Sequence, residues 1–315
     1  MVNGADLRER IVEGACAFLD PEASLAAEAR ARLRAVLDAV DDDSLRRLVA
    51  RFLGDPPDFG YQPPDPVARR LNRAVGELVV AAGSRIGPCE RLASARERPV
   101  LFCANHLSYA DANLLDQLLA REGLADVADR LCVVVGPKVY LSPSRRLSSL
   151  SFGAVKTPQS SDRASDEAVM SRRDVARFAA RAFEALAERR AAGDHVLVFV
   201  EGARSRSGRM QAALPAVSRY LDPPGTLVVP LAILGSDRLV PLGEERARPA
   251  VVTVHVGAPI DAARLRDAAA GNRKRMMDAV GLAIAGQLPE ERRGAYGEAS
   301  PALARAEEAL AAARS

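Results

Sequence analysis

His106 and Asp111 stand five residues apart in NHLSYAD, directly after the apolar run RPVLFCA. An imidazole can take a proton at one nitrogen while a carboxylate holds the N–H at the other, which is the division of labour in general-base chemistry. In a straight helix five positions turn through about 500 degrees, so the two side chains meet only if a turn precedes the helix. A purely structural His–Asp pair or helix cap is the competing reading. His195 and His255 share no ligand spacing with His106, so no metal site is expected. Ser108 lies between the pair, but the chain has no GxSxG nucleophile elbow.

EGARSRSG, residues 201–208, is the second polar concentration and follows HVLVFV immediately. Arg204 and Arg206 can neutralise phosphate oxygens, and Ser205 and Ser207 can donate hydrogen bonds to them. Glu201 can accept hydrogen bonds or orient Arg204, while Gly202 and Gly208 permit a tight backbone. The spacing is not that of a nucleotide P-loop. A solvent-facing basic loop is the alternative. Open α/β sheets bind ligands beyond the carboxyl ends of their strands, and both clusters follow strand candidates. Their convergence would set a base beside an anion clamp, suited to an alcohol that carries phosphate.

The surrounding pattern supplies elements able to hold these clusters. RPVLFCANH, LCVVVGPK, HVLVFV, TLVVPLAIL and AVVTVHVGAPI read as buried strands, and ADANLLDQLLAREG and VARFAARAFEALAERRAAG as amphipathic helices. Val-rich strands separated by long helices predict an α/β fold with a mixed central sheet flanked by helices. Residues 4–52 predict an N-terminal helical domain, and GDPPDFGYQPPDP reads as a linker. TPQSSDRAS reads as a loop. The expected division is an N-terminal helical region and linker over 1–66, a main domain over 67–290 and a peripheral tail over 291–315. The helical region is read as a packing accessory, with a membrane or substrate-access role as the alternative.

With 44 basic and 41 acidic residues the net charge is +3, a balance that argues against a dedicated nucleic-acid binder. Cys16, Cys89, Cys103 and Cys132 form no CxxC pair and fit a reduced cytoplasmic setting. The N-terminus lacks the apolar core of a signal peptide, and no run reaches 18 apolar residues. Attachment to the inner membrane face through an amphipathic surface remains compatible with that pattern.

Taken in order, the blocks resemble the phospholipid and glycerol-phosphate acyltransferases, the PlsC-like family, over roughly residues 98–260. NHLSYAD is similar to the family's His-x4-Asp block. EGARSRSG is similar to its glutamate–glycine–threonine–arginine–serine block, with Ala203 in place of the threonine. SFGAVKTP looks like the block between them, with Lys156 where an arginine is common, and LVVPLAIL resembles the late strand that carries a proline, here Pro230. The helical N-terminus is more loosely similar to the extra domain of soluble glycerol-3-phosphate acyltransferases.

The resemblance implies a glycerol-phosphate acyltransferase-like fold and an O-acyltransferase with no bound cofactor. Acyl-CoA or acyl carrier protein thioester would be its cosubstrate. The implied acceptor is 1-acylglycerol-3-phosphate. Glycerol-3-phosphate, an alcohol without glycerol phosphate, and a non-catalytic peripheral lipid-binding role are the alternatives. His106 and Asp111 would be catalytic, in a ternary complex without an acyl-enzyme. Lys156, Glu201, Gly202, Arg204 and Ser205 would hold the acceptor and its phosphate, with Lys138 and Arg206 as further cationic candidates. Acyl carrier protein and a membrane face are the implied partners, and nucleic acid is not among them.

Overall fold

A computed structural model describes residues 4–54, 60–158 and 172–314. Most of the TPQSSDRAS segment lies outside the described residues. Within them, nine strands form one sheet: β1 Tyr61–Gln62, β2 Arg85–Gly87, β3 Leu101–Ala104, β4 Leu131–Val135, β5 Gly153–Lys156, β6 His195–Phe199, β7 Leu227–Leu234, β8 Thr253–Val256 and β9 Ile260–Asp261. Their order is β1-β5-β4-β6-β3-β7-β8-β2, with β9 also on β7. The five central strands, β5 to β7 in that order, run parallel. β1 runs antiparallel to β5, and β8 antiparallel to β7. This is the expected mixed sheet, and helices cover both of its faces.

Helices α1 Gly4–Cys16, α2 Ala23–Asp38 and α3 Asp42–Leu53 open the chain, and α4 Pro66–Val79 follows. Two of these begin on aspartate caps. The Asp41 carboxylate accepts from the Ser44 N–H, and the Asp65 carboxylate accepts from the Val67 and Ala68 N–H groups, with Pro66 ready-set in the first turn. α5 Ala93–Glu97 leads to β3. α6 Asp111–Arg121 and α7 Ala125–Ala128 connect β3 to β4, α8 Pro137–Tyr140 and α9 Pro143–Ser149 connect β4 to β5, and α10 Arg172–Ala191 connects β5 to β6. After β7 come α11 Ser236–Leu239, then α12 Ala262–Ala268, α13 Arg273–Ala285 and α14 Pro301–Arg314.

Strand alternation divides the core. Phe102 and Ala104 of β3 face a layer that includes α1, α2, α4 and α6, while Leu101 and Cys103 face α10, α13 and α14. Packing runs without a break across residue 66, because Leu33 and Leu37 of α2 share one core with Leu71 of α4 and Phe102. The N-terminal helices are therefore not set apart from the sheet. The proposed linker also holds an edge strand, since Tyr61 and Gln62 pair with Val155 and Ala154. The segment read as a peripheral tail ends in α14, which buries Ala306, Ala309, Leu310 and Ala313. Small alanine side chains let that helix approach the core closely.

Two local features show how the sequence tolerates its own exceptions. Pro230 lies inside the central strand β7, where a missing N–H would ordinarily break a ladder. Its carbonyl accepts from Gly257 on the side where β9 has stopped pairing at Val228 and β8 begins at Leu231, so the absent donor falls in the gap between two partners.

His195, at the start of β6, is fully buried, and its Nδ1 accepts from the Val100 N–H at 3.3 Å. Burial, with Arg130 nearby, pushes its pKa down to about 4. The unfolded chain takes up this proton near 6.5, so between those values the unfolded state binds more protons. Stability is therefore full above pH 6.5 and should decline by up to about 3 kcal/mol as pH falls towards 4. Urea midpoints at pH 7 and pH 4.5 check this. The His195→Asn variant should lose that part of the slope.

Candidate active site

Strands β3 and β6 are parallel neighbours, with Ala104 beside Phe199, so both motifs leave the sheet at the same edge. Asn105 fixes the exit of β3. Its side-chain amide donates to the Ile233 carbonyl at 3.0 Å and its oxygen accepts from the Ile233 N–H at 2.7 Å, tying the turn to β7. The chain then turns before α6 begins at Asp111, as the five-residue spacing requires.

Within that turn His106 Nδ1 lies 2.8 Å from Asp111 Oδ2. The same oxygen accepts from the Leu107 and Ser108 N–H groups at 2.8 and 3.0 Å. A carboxylate that gathers three donors at the first turn of a helix is held firmly in place, and the helix dipole favours its negative charge. With Nδ1–H directed at the carboxylate, the lone pair of the neutral ring sits on Nε2. Among the described residues Nε2 has no hydrogen-bond partner. The imidazole stacks on Phe199 with ring centroids 4.1 Å apart, and meets Tyr109 edge-on. An imidazole so placed can accept one proton at Nε2 and have the resulting charge balanced at Nδ1.

The second motif supports this turn from behind. The His106 N–H donates to Glu201 Oε1 at 2.8 Å, and the His106 carbonyl accepts from the Ser205 N–H at 2.8 Å. Glu201 Oε2 accepts from the Gln211 N–H, also at 2.8 Å. Glu201 is fully buried, and burial raises its pKa, with the Gln211 and His106 N–H bonds pulling the other way. The Ser205 hydroxyl donates to the Arg209 carbonyl at 2.7 Å. Glu201 and Ser205, both expected at the acceptor site, are thus buried and hydrogen-bonded to the backbone around the turn. Gly202 makes the loop possible: its φ is +68°, and a Cβ there would come within 2.2 Å of Leu214.

Arg204 is the cation that the motif places over Tyr109. Its guanidinium carbon lies 4.4 Å from the centroid of Tyr109, and its buried Nη1 has no hydrogen-bond partner among the described residues. Burial lowers its pKa, and the proximity of Arg145 adds to that effect. Arg145 of α9 lies over the same ring at 3.9 Å. The other expected cations are elsewhere. Lys156, at the end of β5, is buried beneath Tyr140, and burial brings its pKa down to about 8. Two strand spacings, about 10 Å, separate its strand from β6, which leads into Arg204, and Lys156 lies over Tyr140 whereas Arg204 lies over Tyr109. Lys138 and Arg206 are exposed, and neither side chain has a contact with His106 or Asp111. Among the described residues no group of three or more His, Cys, Asp or Glu side chains is placed to hold a metal ion.

An apolar cavity of about 190 Å³ opens beside the turn. Tyr109 and Ala110, which lie between His106 and Asp111, form part of its wall. Phe18, in the turn after α1, and Leu71, Val75 and Val79 of α4 form another part of it. Sequence reasoning missed Asn105, Tyr109, Arg145 and Gln211. NHLSYAD itself contained the aromatic signal, and Arg145 stands in the basic, apolar stretch LSPSRRLSSLSFG, but nothing in the chain marked Gln211.

The family model described as Acyltransferase matches residues 89–234, which include both motifs. A curated 1-acyl-sn-glycerol-3-phosphate acyltransferase of Chlamydomonas reinhardtii is 27% identical over 207 residues, covering 65% of this chain and 53% of the relative. The chain thus spans about half the length of that relative. The crystal structure of the 1-acyl-sn-glycerophosphate acyltransferase PlsC from Thermotoga maritima aligns at a TM-score of 0.42 with 16% identity, covering 81% of this chain and 87% of that one. Residues 89–234 thus match the Acyltransferase family model, and the chain is similar to a curated 1-acyl-sn-glycerol-3-phosphate acyltransferase.

Proposed function

We propose that the protein transfers an acyl chain from an acyl thioester to the free hydroxyl of a 1-acylglycerol-3-phosphate. The observation that carries this reading is the His106–Asp111 pair, with Nε2 open, in a turn whose Tyr109 lies under the Arg204 guanidinium and lines an apolar cavity. Each part answers one demand of the reaction. A hydroxyl needs a base, a phosphate needs a cation, and an acyl chain needs an apolar enclosure.

In the proposed step His106 Nε2 takes the hydroxyl proton as the oxygen attacks the thioester carbonyl carbon. Asp111 steadies the imidazolium that forms. The tetrahedral intermediate collapses, the carbon–sulfur bond breaks, and the proton on Nε2 passes to the departing thiolate. A C–O ester bond has replaced the C–S bond, and the imidazole is neutral again. Arg204 pairs with the acceptor phosphate. Glu201 and Ser205 act on the chemistry only through the backbone of His106, as positioning residues. Acyl-CoA and acyl carrier protein thioesters are both donors of the required class.

An acceptor of this kind resides in a membrane. Among the described residues no helix is long and apolar enough to cross one, so the reading has the protein meet its acceptor at the membrane surface.

Purified protein should convert 1-acylglycerol-3-phosphate to the diacyl product with matched release of free thiol, followed by mass spectrometry and thiol titration. A donor panel of acyl-CoA and acyl carrier protein thioesters belongs in the same experiment, as do glycerol-3-phosphate and monoacylglycerol acceptors. Transfer to glycerol-3-phosphate or monoacylglycerol in preference to the lysophospholipid would overturn the acceptor assignment. Stoichiometric lipid binding without thiol release would overturn catalysis itself.

A further inference from the structure

Tyr109 carries two guanidinium groups, and only one of them belongs to a recognised motif. Arg204 comes from the loop after β6, whereas Arg145 comes from α9, in a segment with no motif of its own. Their guanidinium carbons lie 4.4 and 3.9 Å from the ring centroid. They are therefore no farther apart than about 8 Å, the two distances laid end to end. A single phosphate that accepts one hydrogen bond from each, at about 2.8 Å, spans such a gap.

Two like charges this close favour an anion between them. The acidic partner in place is Glu245, whose Oε1 lies 3.3 Å from Arg145 Nη2. The Glu245 side chain is 57% exposed, so water screens the pair and it contributes little. Arg145 is also held in position by its backbone neighbour, because Nη1 donates to the Lys138 carbonyl at 3.1 Å. Arg145, Glu245 and Tyr109 all line the apolar cavity. The arrangement therefore has its charge at the rim and its apolar wall behind.

We infer that Arg145 is a second phosphate-binding residue at the cavity mouth, acting with Arg204 across Tyr109, and that Glu245 is an internal competitor which the acceptor's phosphate displaces. This rests on the proposed use of a phosphate-bearing acceptor. It deepens that reading, because a ligand that satisfies both rim and wall is an amphiphile with its own chain. The aromatic ring matters to the arrangement: guanidinium groups stack on a phenol face and keep their N–H edges free for an anion, which an ammonium does not do as well.

The two roles of Arg145 and Glu245 are opposite, and that makes the inference testable without relying on one variant. The ligand is 1-hexanoylglycerol 3-phosphate, titrated calorimetrically into wild-type protein without donor, and into Arg145→Gln, Arg145→Lys and Glu245→Gln. Arg145→Gln should weaken binding about tenfold or more, the scale of one lost charge-assisted hydrogen bond. Arg145→Lys should recover part of that loss. Glu245→Gln should bind several-fold more tightly than wild type. Turnover then separates the two phosphate sources, since a CoA donor also carries phosphates. The acceptor KM should rise in Arg145→Gln, with the thioester KM within a factor of two of wild type. Unchanged binding in Arg145→Gln, weaker binding in Glu245→Gln, or a KM change confined to the thioester would each overturn the inference. Binding that follows this pattern without any turnover would leave the anion site standing and remove the proposed transfer reaction.

Discussion

His106→Ala should fold as the wild type does and lose acyl transfer by about 10²–10⁴-fold, the range associated with removing one positioned general base. The ring is only partly enclosed, and its backbone N–H and carbonyl bonds to Glu201 and Ser205 survive the substitution. The expected loss therefore falls on kcat, with acceptor and donor binding largely kept. Asp111→Asn tests the partner and should behave differently. The asparagine oxygen can still accept from backbone N–H groups, but if it does so its NH2 must face elsewhere, and it no longer balances an imidazolium. Its rate should fall by a smaller factor than in His106→Ala, together with some loss of stability, because Asp111 Oδ2 gathers three donors in a buried site. Stopped thiol-release assays beside urea unfolding separate the two effects. Wild-type turnover in a folded His106→Ala variant would remove the base assignment.

Glu201→Ala should cost stability on the order of 2–5 kcal/mol, since it leaves two N–H groups, those of His106 and Gln211, without their buried acceptor. Activity should fall with it, because the base then sits on an unsupported turn. Glu201→Gln is the informative companion. It keeps one acceptor oxygen but places an NH2 against the second N–H, so roughly half of the support is lost. The result that distinguishes a positioning role is a lower kcat with acceptor KM nearly unchanged in whatever fraction remains folded. A variant with normal stability and kcat but a much higher acceptor KM would instead return Glu201 to the phosphate site. Urea midpoints and steady-state kinetics on the same preparations decide between these outcomes.

The sheet's interior was legible in the chain because β3, β4, β6 and β7 are buried on both faces and read as continuous apolar runs. β1, β2, β5 and β9 were not. Each is two to four residues long, too short for a repeating pattern, and they are paired by distant segments, as Tyr61 is with Val155. β1 was further hidden among prolines that correctly signalled a turn. The His106–Asp111 pairing was legible because it is local and a strand–helix turn can close it. The role of Glu201 was not, since an acid beside two arginines reads as their partner. Its actual partner is a backbone N–H 95 residues earlier, brought alongside only when β6 lies against β3. The packing of α14 was equally hard to read: an alanine-rich helix carries little amphipathic signal, though small side chains suit a close-packed one.

The cavity wall has a consequence for how such a protein changes over time. The groups proposed for chemistry and phosphate binding all lie within residues 89–234, the part that matches the family. Much of the surface that would meet a hydrocarbon chain comes from outside it, from Phe18, Leu71, Val75 and Val79. Mutation in the first eighty residues can therefore reshape which chains fit while the reacting groups stay as they are, so preference and reactivity can drift separately within one continuous core.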